Sequence, residues 1–401
     1  MKHWPTMRLG ELAEVFNGKT PARSEQRSAG HPVLKIKDVD ENGTFRGHFE
    51  SFVDYSFVDA NTRKRANAGD VLILNAAHNS DYVASKIFYA DKQVSGAIAT
   101  GEWTIIRPNP AAILSKFIHF WVQSRIGLTS IKNLVRGIHL YPSDVASVRL
   151  AVPPLAEQER IVKLLDEADE LRKLRAQADR RTAALIPALF HEMFGDPVSN
   201  PVNWPLHRLS DICEGKAGIK AGPFGSSLKK DCYTPAGPRV YGQEQVIADD
   251  FSIGDYHISE GKFIEMEAYA VSPGDLLISL VGTIGKVAIA PDKIERGVIN
   301  PRLLRVRPRK DMLHPCYLAH VLTAPSSAKH FGGVATGMTM GVLNAGLLKR
   351  LTVPIPPLSL QKEFAQRVTE IRVLETTQAT SRTRLDALFQ STLHHAFNGQ
   401  I

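Results

Sequence analysis

The chain has 401 residues, of which 43% are hydrophobic and 22% charged, an ordinary globular composition. This composition excludes disordered and collagen-like proteins, and no run approaches the about 18 apolar residues of a membrane span. The 49 Lys and Arg residues against 41 Asp and Glu give a net charge of +8, which suits a polyanion partner, although many proteins without one carry as much. Three widely spaced cysteines, and no apolar leader after the N-terminus, predict a cytoplasmic protein.

Short apolar runs separated by Gly, Pro, Asn and Asp turns fill residues 1–154. Val33–Lys37 predicts one strand, and Val71–Leu74 predicts another after a Gly-Asp turn. Apolar residues between Ile113 and Ile126 follow helical spacing. Such a mixture predicts an α/β globule, whose last strand ends at a proline pair because proline cannot continue it.

A long helix is predicted from Leu155 to the Gly195-Asp196-Pro197 stop, with a kink near Pro187. Its apolar residues recur at spacings of three and four or their multiples, which is typical of a heptad seam. The seam residues are Ile161, Leu164, Ala168, Leu171, Ala178 and Leu185, with polar breaks at Arg175 and Thr182. A seam of this length favours pairing with another helix; the alternative is a surface helix packed on its own globule.

The second half of the chain repeats the first, since four blocks recur in the same order about 200 residues later. They are Trp4–Leu12 with Trp204–Ile212, Gly69–Leu74 with Gly274–Ser279, Arg149–Leu155 with Arg350–Leu358, and Ala188–Phe190 with Ala387–Phe389. The length of the period indicates a two-fold duplication rather than a solenoid, whose units are about 20–50 residues long. The second long helix has its own seam, with a polar stretch at Gln378 and Ser381. Its seam residues are Phe364, Val368, Ile371, Leu374, Leu385 and Leu388.

The duplication therefore predicts an α+β protein of four segments. They are a globule at 1–154, a central helix at 155–198, a second globule at 199–356 and a C-terminal helix at 357–401.

No motif for bond chemistry occurs in the sequence. Gly282–Val287 lacks the spacing of a phosphate-binding Walker loop, and neither HExxH nor GxSxG is present. An EF-hand-like start at Asp38 fails at its twelfth position, Phe49, where a Glu is required. The sequence therefore predicts a non-catalytic chain with no metal or cofactor of its own.

Several loops carry residues suited to nucleic acid. The Gly-rich loop Lys216–Lys230 holds four Lys, and its hydroxyls, amides and ammonium groups would attract phosphates. Val334–Gly341 places Thr and Met at a loop where they could meet base edges, and Arg136–Tyr141 occupies the corresponding place in the first half. Asn75–Asn79 follows one Gly-Asp strand, as Thr283 and Lys286 follow the other; ordinary surface loops are the alternative. The candidate DNA contacts are Lys19, Arg23, Lys35, Lys37, Asn75, His78, Asn79, Arg136, His139, Tyr141, Lys216, Lys220, Ser226, Ser227, Lys229, Lys230, Gln243, Glu244, Thr283, Lys286, Thr336, Met338 and Thr339.

These motifs, taken in order, resemble the specificity (S) subunit of type I restriction–modification systems, and the resemblance covers essentially the whole chain. The motifs are Gly222–Ser226, Gly274–Lys286, Val353–Gln361 and Ala396–Gly399. The boundary Pro-Pro-Leu-x-x-Gln occurs in both halves, ending at Gln158 and Gln361. The first half departs from the pattern, with Gly18–Pro21 in place of the Gly-Pro-Phe-Gly-Ser loop.

The resemblance implies two mixed α/β target recognition domains, each reading one half of a bipartite, asymmetric site in double-stranded DNA. It implies that the two long helices lie antiparallel as a coiled coil and set the spacer between the half-sites. It also implies two modification subunits, which bind S-adenosylmethionine, and restriction subunits, which use ATP and Mg²⁺; no membrane is involved. The alternatives are a stand-alone two-headed DNA-binding protein, the recognition subunit of another restriction class, and a scaffold that does not bind DNA.

Overall fold

The computed structural model describes residues 4–215, 217–224, 227–280, 285–327 and 345–400. The chain divides into two compact units, Met1–Gln177 with Ala379–Ile401, and Ala178–Gln378. The division falls inside two long helices, so each unit contains a part of both. Within the described ranges, every helix is either too short or too polar to span a lipid bilayer.

The first unit alternates short strands and helices. Its described strands are β1 (Thr6–Arg8), β2 (Ala13–Asn17), β3 (Gln26–Arg27), β4 (His31–Leu34), β5 (Phe52–Val53), β6 (Val71–Leu74), β7 (Ile87–Tyr89), β8 (Ile98–Ala99), β9 (Trp103–Pro108) and β10 (Arg149–Ala151). Its described shorter helices are α1 (Leu9–Leu12), α2 (Tyr55–Ala60), α3 (Ser115–Gln123), α4 (Arg125–Lys132) and α5 (Pro142–Ser147).

The long helices and the second unit follow. The helices that link the two halves are α6 (Leu155–Ala183) and α7 (Leu185–Phe194). The described strands of the second unit are β11 (Leu206–Arg208), β12 (Ile219–Ala221), β13 (Tyr233–Tyr241), β14 (His257–Ile258), β15 (Leu276–Ser279), β16 (Val287–Ile289), β17 (Gly297–Ile299), β18 (Leu303–Val306) and β19 (Thr352–Pro354). Its described remaining helices are α8 (Gln243–Ala248), α9 (Glu260–Glu265), α10 (Pro315–Thr323), α11 (Ala345–Arg350) and α12 (Leu358–Phe397), of which α12 runs back into the first unit.

The two units share the strand order of one antiparallel sheet, and in each unit a second sheet contains a parallel pair. In the first unit, an antiparallel sheet has the order β2-β9-β6-β7, and a second sheet, β3-β5-β4-β8, contains a parallel β4–β8 pair. In the second unit the corresponding sheets are β12-β18-β15-β16 and β14-β13-β17, with β13 and β17 parallel. The strands after the Gly-Asp turns, β6 and β15, are buried throughout because both faces are covered. Val71 and Ile73 pack in the cluster that includes α3, while Leu72 and Leu74 pack with Leu34 of the second sheet.

The repeated Gly-Asp motif forms a buried ion pair in each unit. The Arg107 guanidinium donates to both carboxylate oxygens of Asp70, at 3.0 and 2.8 Å, and Arg307 does the same to Asp275, at 2.7 Å to each oxygen. Both carboxylates are 1% exposed. Each also accepts a backbone N–H three residues earlier in the chain, so the motif fixes the turn that starts the central strand.

The repeated Pro-Pro-Leu-x-x-Gln motif attaches each long helix to its globule. The Gln158 side chain is fully buried; its Oε1 accepts the Leu114 N–H (2.8 Å) and its Nε2 donates to the Pro153 carbonyl (2.9 Å). Gln361 accepts the His314 N–H and donates to the Pro356 carbonyl, each at 2.8 Å. The motif is therefore a structural feature of the scaffold.

The predicted helices are present, but the seam residues are only partly as predicted. Ile161, Phe364 and Val368 are buried, whereas the seam is wrong at the exposed leucines Leu164, Leu171, Leu185, Leu374 and Leu388. Thr182 and Gln378, predicted as polar interruptions of the seams, are buried, and Gln378 Nε2 donates to Thr182 Oγ1 over 3.0 Å. The kink prediction is confirmed: α6 ends at Ala183, four residues before Pro187, whose ring clashes with that carbonyl in a continuous helix.

The helices pack antiparallel, and each distal end covers a globule. In the second unit Thr182 pairs with Gln378 while Phe190 contacts Phe364, so residue numbers rise along one helix as they fall along the other. In the first unit Phe397 of α12 meets Phe117 of α3, with ring centroids 5.2 Å apart. The predicted fold class is confirmed: an α+β duplication of two mixed α/β domains with two long antiparallel helices.

Candidate nucleic-acid interface

In the first unit the candidate loops converge on one short turn, Thr100–Glu102, which leads into β9. The Lys19 N–H donates to the Ala99 carbonyl (2.8 Å), and the Thr100 N–H donates to the carbonyl of Leu34, the last residue of β4 (3.1 Å). The Asn75 N–H donates to the Glu102 carbonyl (2.8 Å). The loops after β2, β4 and β6 therefore meet at one end of the sheet. We call Thr100–Glu102 and its counterpart below the central turns.

The second unit repeats this arrangement around Asn300–Arg302, the central turn before β18. The Gly222 N–H donates to the Leu303 carbonyl (2.8 Å), and the Asn300 N–H donates to the Tyr241 carbonyl (2.9 Å). The Leu280 N–H donates to the Arg302 carbonyl (2.9 Å). Burial raises the pKa of the Tyr241 phenol to about 12, and its hydroxyl donates to the Glu295 carbonyl, so this ring supports the turn as a neutral group.

A glycine is required where each loop crosses its central turn. A Cβ on Gly18 would lie 2.2 Å from the Ala99 carbonyl oxygen, and one on Gly222 would lie 1.9 Å from that of Asn300. These two glycines are thus structurally equivalent. The chain leaves the turn at Lys19 in the first unit and at Pro223-Phe224 in the second.

Among the predicted first-unit contacts, Lys19 and Arg23 are exposed and have no side-chain partner in the described part of the chain. Lys35 is half-buried, with its ammonium 3.4 Å from Gln26 Oε1. Lys37 is exposed and pairs with Glu50, whose carboxylate raises the pKa of Lys37.

Asn75 lies inside the protein. It is 4% exposed, and its Nδ2 donates to Asn17 Oδ1 (3.0 Å), the Gly101 carbonyl (2.9 Å) and Thr104 Oγ1 (3.2 Å). Its carboxamide holds β2, β6 and the central turn together and is therefore not part of the candidate surface. His78 and Asn79 are exposed beyond it, and Asn79 Oδ1 accepts the Asp81 N–H (3.1 Å).

The turn Arg136–Tyr141 packs beside the segment that follows β6. The Leu140 N–H donates to the Asn75 carbonyl (2.8 Å), and Ala76 and His139 form a β-bridge. The His139 and Tyr141 rings are exposed, with centroids 6.4 Å apart. Arg136 is exposed and pairs with Asp144 at 2.9 Å. The structure therefore brings together two segments that are about sixty residues apart in the sequence.

In the second unit Ser227, Lys229, Glu244 and Lys286 are exposed and Gln243 is half-buried. Lys220 places its ammonium 4.5 Å from the Tyr269 ring centroid. Lys216, Ser226, Thr283, Thr336, Met338 and Thr339, and the side chain of Lys230, lie outside the described residues.

Lys86 and Lys286 occupy equivalent places with different environments. The carbonyl of Lys86 accepts the Leu74 N–H (3.0 Å), and that of Lys286 accepts the Ser279 N–H (2.9 Å). The Lys86 ammonium is occupied by the Ile36 and Val39 carbonyls, whereas the Lys286 side chain is exposed. Only Lys286 of this pair is free to meet a ligand.

Sequence reasoning missed the central turns and the residue beside one of them. Glu102 and Arg302 each directly precede the strand that comes last in the sequence within the antiparallel sheet, β9 or β18. Phe224, which follows the crossing of the turn at Gly222, is 85% exposed. The available signal was the recurrence of Arg107-Pro108 as Arg307-Pro308, which aligns the two turns. Among the described residues, no group of three His, Cys, Asp or Glu side chains is placed to hold a metal ion.

The chain is thus a duplicated α+β scaffold in which each unit presents one such set of converging loops. The chain belongs to the family of the type I restriction modification DNA specificity domain, whose family model matches residues 1–179 and 201–383.

Relatives and solved structures of type I specificity subunits match this chain over nearly its whole length. The putative type I restriction enzyme MjaX specificity subunit of Methanocaldococcus jannaschii is 21% identical over 389 residues, covering 92% of this chain and 86% of the relative. The type I restriction enzyme EcoKI specificity subunit of Escherichia coli K12 is 24% identical over 406 residues, covering 92% and 82%. The type I restriction–modification S subunit from M. genitalium has a similar fold, with a TM-score of 0.56 at 13% identity, covering 98% of this chain and 96% of that one.

A further structure, from work on complex assembly and conformational transition of the type I system, has a TM-score of 0.60 at 22% identity, covering 100% of this chain and 99% of that one. Family membership favours the specificity subunit over the alternative functions considered above.

Proposed function

We propose that this chain is the DNA sequence-recognition subunit of a type I restriction–modification complex, acting in the cytoplasm, and that each unit reads one half of a bipartite, asymmetric site. The observation that carries the proposal is the convergence of separate loops on a central turn in both units. A rigid sheet end that presents several loops is a suitable scaffold for reading base edges, because each loop is held by backbone hydrogen bonds to the same turn.

The charges at these sheet ends support DNA as the ligand. Lys19, Lys229, Lys286 and Arg302 are exposed and have no side-chain partner in the described ranges. Cations that are not neutralised by neighbours are available for phosphates, and their contacts release counterions from DNA. The two loop surfaces would therefore bind DNA non-specifically as well as read it.

We propose that the long helices set the spacer between the half-sites. The 29 residues of α6 give about 44 Å of helix and the 40 residues of α12 about 60 Å, at about 1.5 Å per residue. One turn of DNA is about 34–36 Å long. Helices of this length are sufficient to hold two recognition domains about one turn of DNA apart.

We propose further that two modification subunits dock on these helices, and that restriction subunits join through them. Exposed leucines along α6 and α12 (Leu164, Leu171, Leu174, Leu374 and Leu388) offer apolar surface that a partner helix could bury. The chain itself would be non-catalytic, with S-adenosylmethionine on the modification subunits and ATP with Mg²⁺ on the restriction subunits.

The test is a base-resolution methylation map of the source genome with and without this gene. We expect deletion to abolish one split motif that carries N6-methyladenine on both strands. Retention of every motif would contradict the proposal for a genome in which the gene is expressed. Binding of a duplex with that motif by the chain with its modification subunits, compared with the chain alone, then separates an S subunit from a stand-alone binder, because only the stand-alone protein would reach full affinity unaided.

A further inference from the structure

We infer that the central turns contain the base-reading residues that make the two half-sites different, Glu102 in the first unit and Arg302 in the second. This inference rests on the proposed function and deepens it, since it assigns a base preference to one residue in each unit.

The backbone places these two residues identically. Each directly precedes the last strand of its sheet, β9 or β18. The Glu102 carbonyl accepts the N–H of the residue that follows β6, and the Arg302 carbonyl accepts that of the residue that follows β15, at 2.8 and 2.9 Å. Because the scaffold is the same, the chemical difference between the units at this point is the side chain, and the two side chains have opposite charge.

The carboxylate of Glu102 is oriented by a hydrogen bond from the loop that crosses its turn. Its Oε2 accepts the Thr20 hydroxyl proton (3.2 Å), and Thr20 Oγ1 accepts the Gly101 N–H (2.8 Å), so the turn itself orients the carboxylate. Glu102 is half-buried and has no ion pair in the described part of the chain. Phosphates repel a carboxylate, so a carboxylate at a DNA surface needs a compensating hydrogen bond from a base. In the major groove the donor that Glu recognises is the N4 amino group of cytosine. The structure thus assigns Glu102 to cytosine.

The backbone of Arg302 is fixed in its turn, and its guanidinium is available to donate hydrogen bonds. Its backbone N–H donates to Asn300 Oδ1 (2.9 Å), which fixes the turn, while its side chain is exposed and has no partner among the described residues. A guanidinium offers a rigid fork of donors that fits the O6 and N7 acceptors of guanine. Arg302 is therefore assigned to a guanine in the other half-site.

The experiment selects duplexes from a randomised library with the chain assembled with its modification subunits. For Glu102→Gln we expect one position of the first half-site to lose about 5- to 150-fold of its preference for cytosine, with the second half-site unchanged. Arg302→Gln should relax one guanine of the second half-site only. Glu102→Arg should change the preferred base at that first-half position from cytosine to guanine.

Matched controls lie at the opposite end of the same sheets. Glu14→Gln in β2 and Arg309→Gln after β18 remove equal charges from exposed residues and should leave every base preference unchanged. If Glu102→Gln does not fold, Glu102→Asp keeps the carboxylate with a shorter reach and should weaken the same position. If all Glu102 and Arg302 variants select the wild-type motif, the inference is overturned and the proposed function stands. A wild-type assembly that selects no motif would overturn the proposed function as well.

Discussion

Replacement of Gln158 by leucine tests whether the repeated boundary motif is structural. The change keeps the side-chain volume but removes the acceptor of the Leu114 N–H and the donor to the Pro153 carbonyl. Each of these two backbone groups is then buried without a partner, at about 1–3 kcal/mol each. Since the apolar carbons that leucine buries in place of the amide return about 1 kcal/mol, we expect the first unit to lose about 1–5 kcal/mol. That is a large share of a typical folding free energy of about 5–15 kcal/mol.

The four tryptophans allow this loss to be located. Trp4, Trp103 and Trp121 belong to the first unit and Trp204 to the second. Urea unfolding followed by fluorine NMR of fluorinated tryptophans should show the three first-unit signals lost at a lower urea concentration. Gln177→Leu, at an exposed position of the same helix, is the control and should change stability by less than about 0.5 kcal/mol. A loss below about 0.5 kcal/mol in the Gln158 variant would refute the reasoning.

Three further predictions concern spacing, charge and pH. Insertion of seven residues near both Arg175 and Gln378 keeps the same faces of the helices inward and lengthens each helix by about 10 Å. The selected DNA should then show a spacer longer by roughly three base pairs, with both half-sites unchanged, whereas an unaltered spacer would refute the proposed spacing role. Lys229→Ala should weaken binding evenly across sequences and lower the slope of log affinity against log salt by about one, as titrations at several salt concentrations will show; a changed base preference would mean that Lys229 reads sequence. Burial lowers the pKa of His119 to about 4, so between about pH 6.5 and 4 the unfolded chain binds a proton that the folded chain does not, and stability should fall by up to about 3 kcal/mol as the pH falls through this window. Thermal melts at several pH values should show this slope in the wild type and a flatter one in His119→Phe.

The duplication and the long helices could be predicted because their signals are local and repeated. The Gly-Asp turn and the Pro-Pro-Leu-x-x-Gln boundary recur in the sequence, and in the structure both contain buried polar groups. Asp70 forms an ion pair with Arg107, and Gln158 accepts a hydrogen bond from the Leu114 backbone N–H. A buried polar residue needs specific partners, and at these two positions both copies keep the residue together with its partners: Asp275 pairs with Arg307, and Gln361 bonds to the same kind of backbone groups as Gln158.

The face of each long helix could not be predicted from apolar spacing alone. The inward face contains Thr182 and Gln378, which bond to each other, while Leu171 and Leu374 point outward. A heptad search ranks residues by hydrophobicity and therefore chooses the leucines. Which face is inward depends on the globule to which each helix end is packed, and that is a tertiary contact.

The candidate surface was predictable only as separate loops. Asn75 has a side chain suited to adenine, but its position at the junction of two strands and the central turn directs the carboxamide into the protein. Glu102 and Arg302 carry no motif, and their importance comes from the hydrogen bonds that other loops make to their turn. Residue type alone does not separate these cases; the position relative to the sheet end does.

Comparison of the two units separates scaffold from recognition. The buried, arginine-paired aspartates of the Gly-Asp turns, Asp70 and Asp275, are the same residue in both units. Positions at the loop ends, such as Glu102 and Arg302, differ in charge although their backbones make equivalent hydrogen bonds. A substitution at a loop end thus leaves the backbone contacts intact, whereas one at a buried pair removes them. The proposed recognition residues could therefore change at the central turns while the backbone hydrogen bonds that hold the loops stay in place, which is the property that a duplicated protein needs if its two halves are to read different sequences.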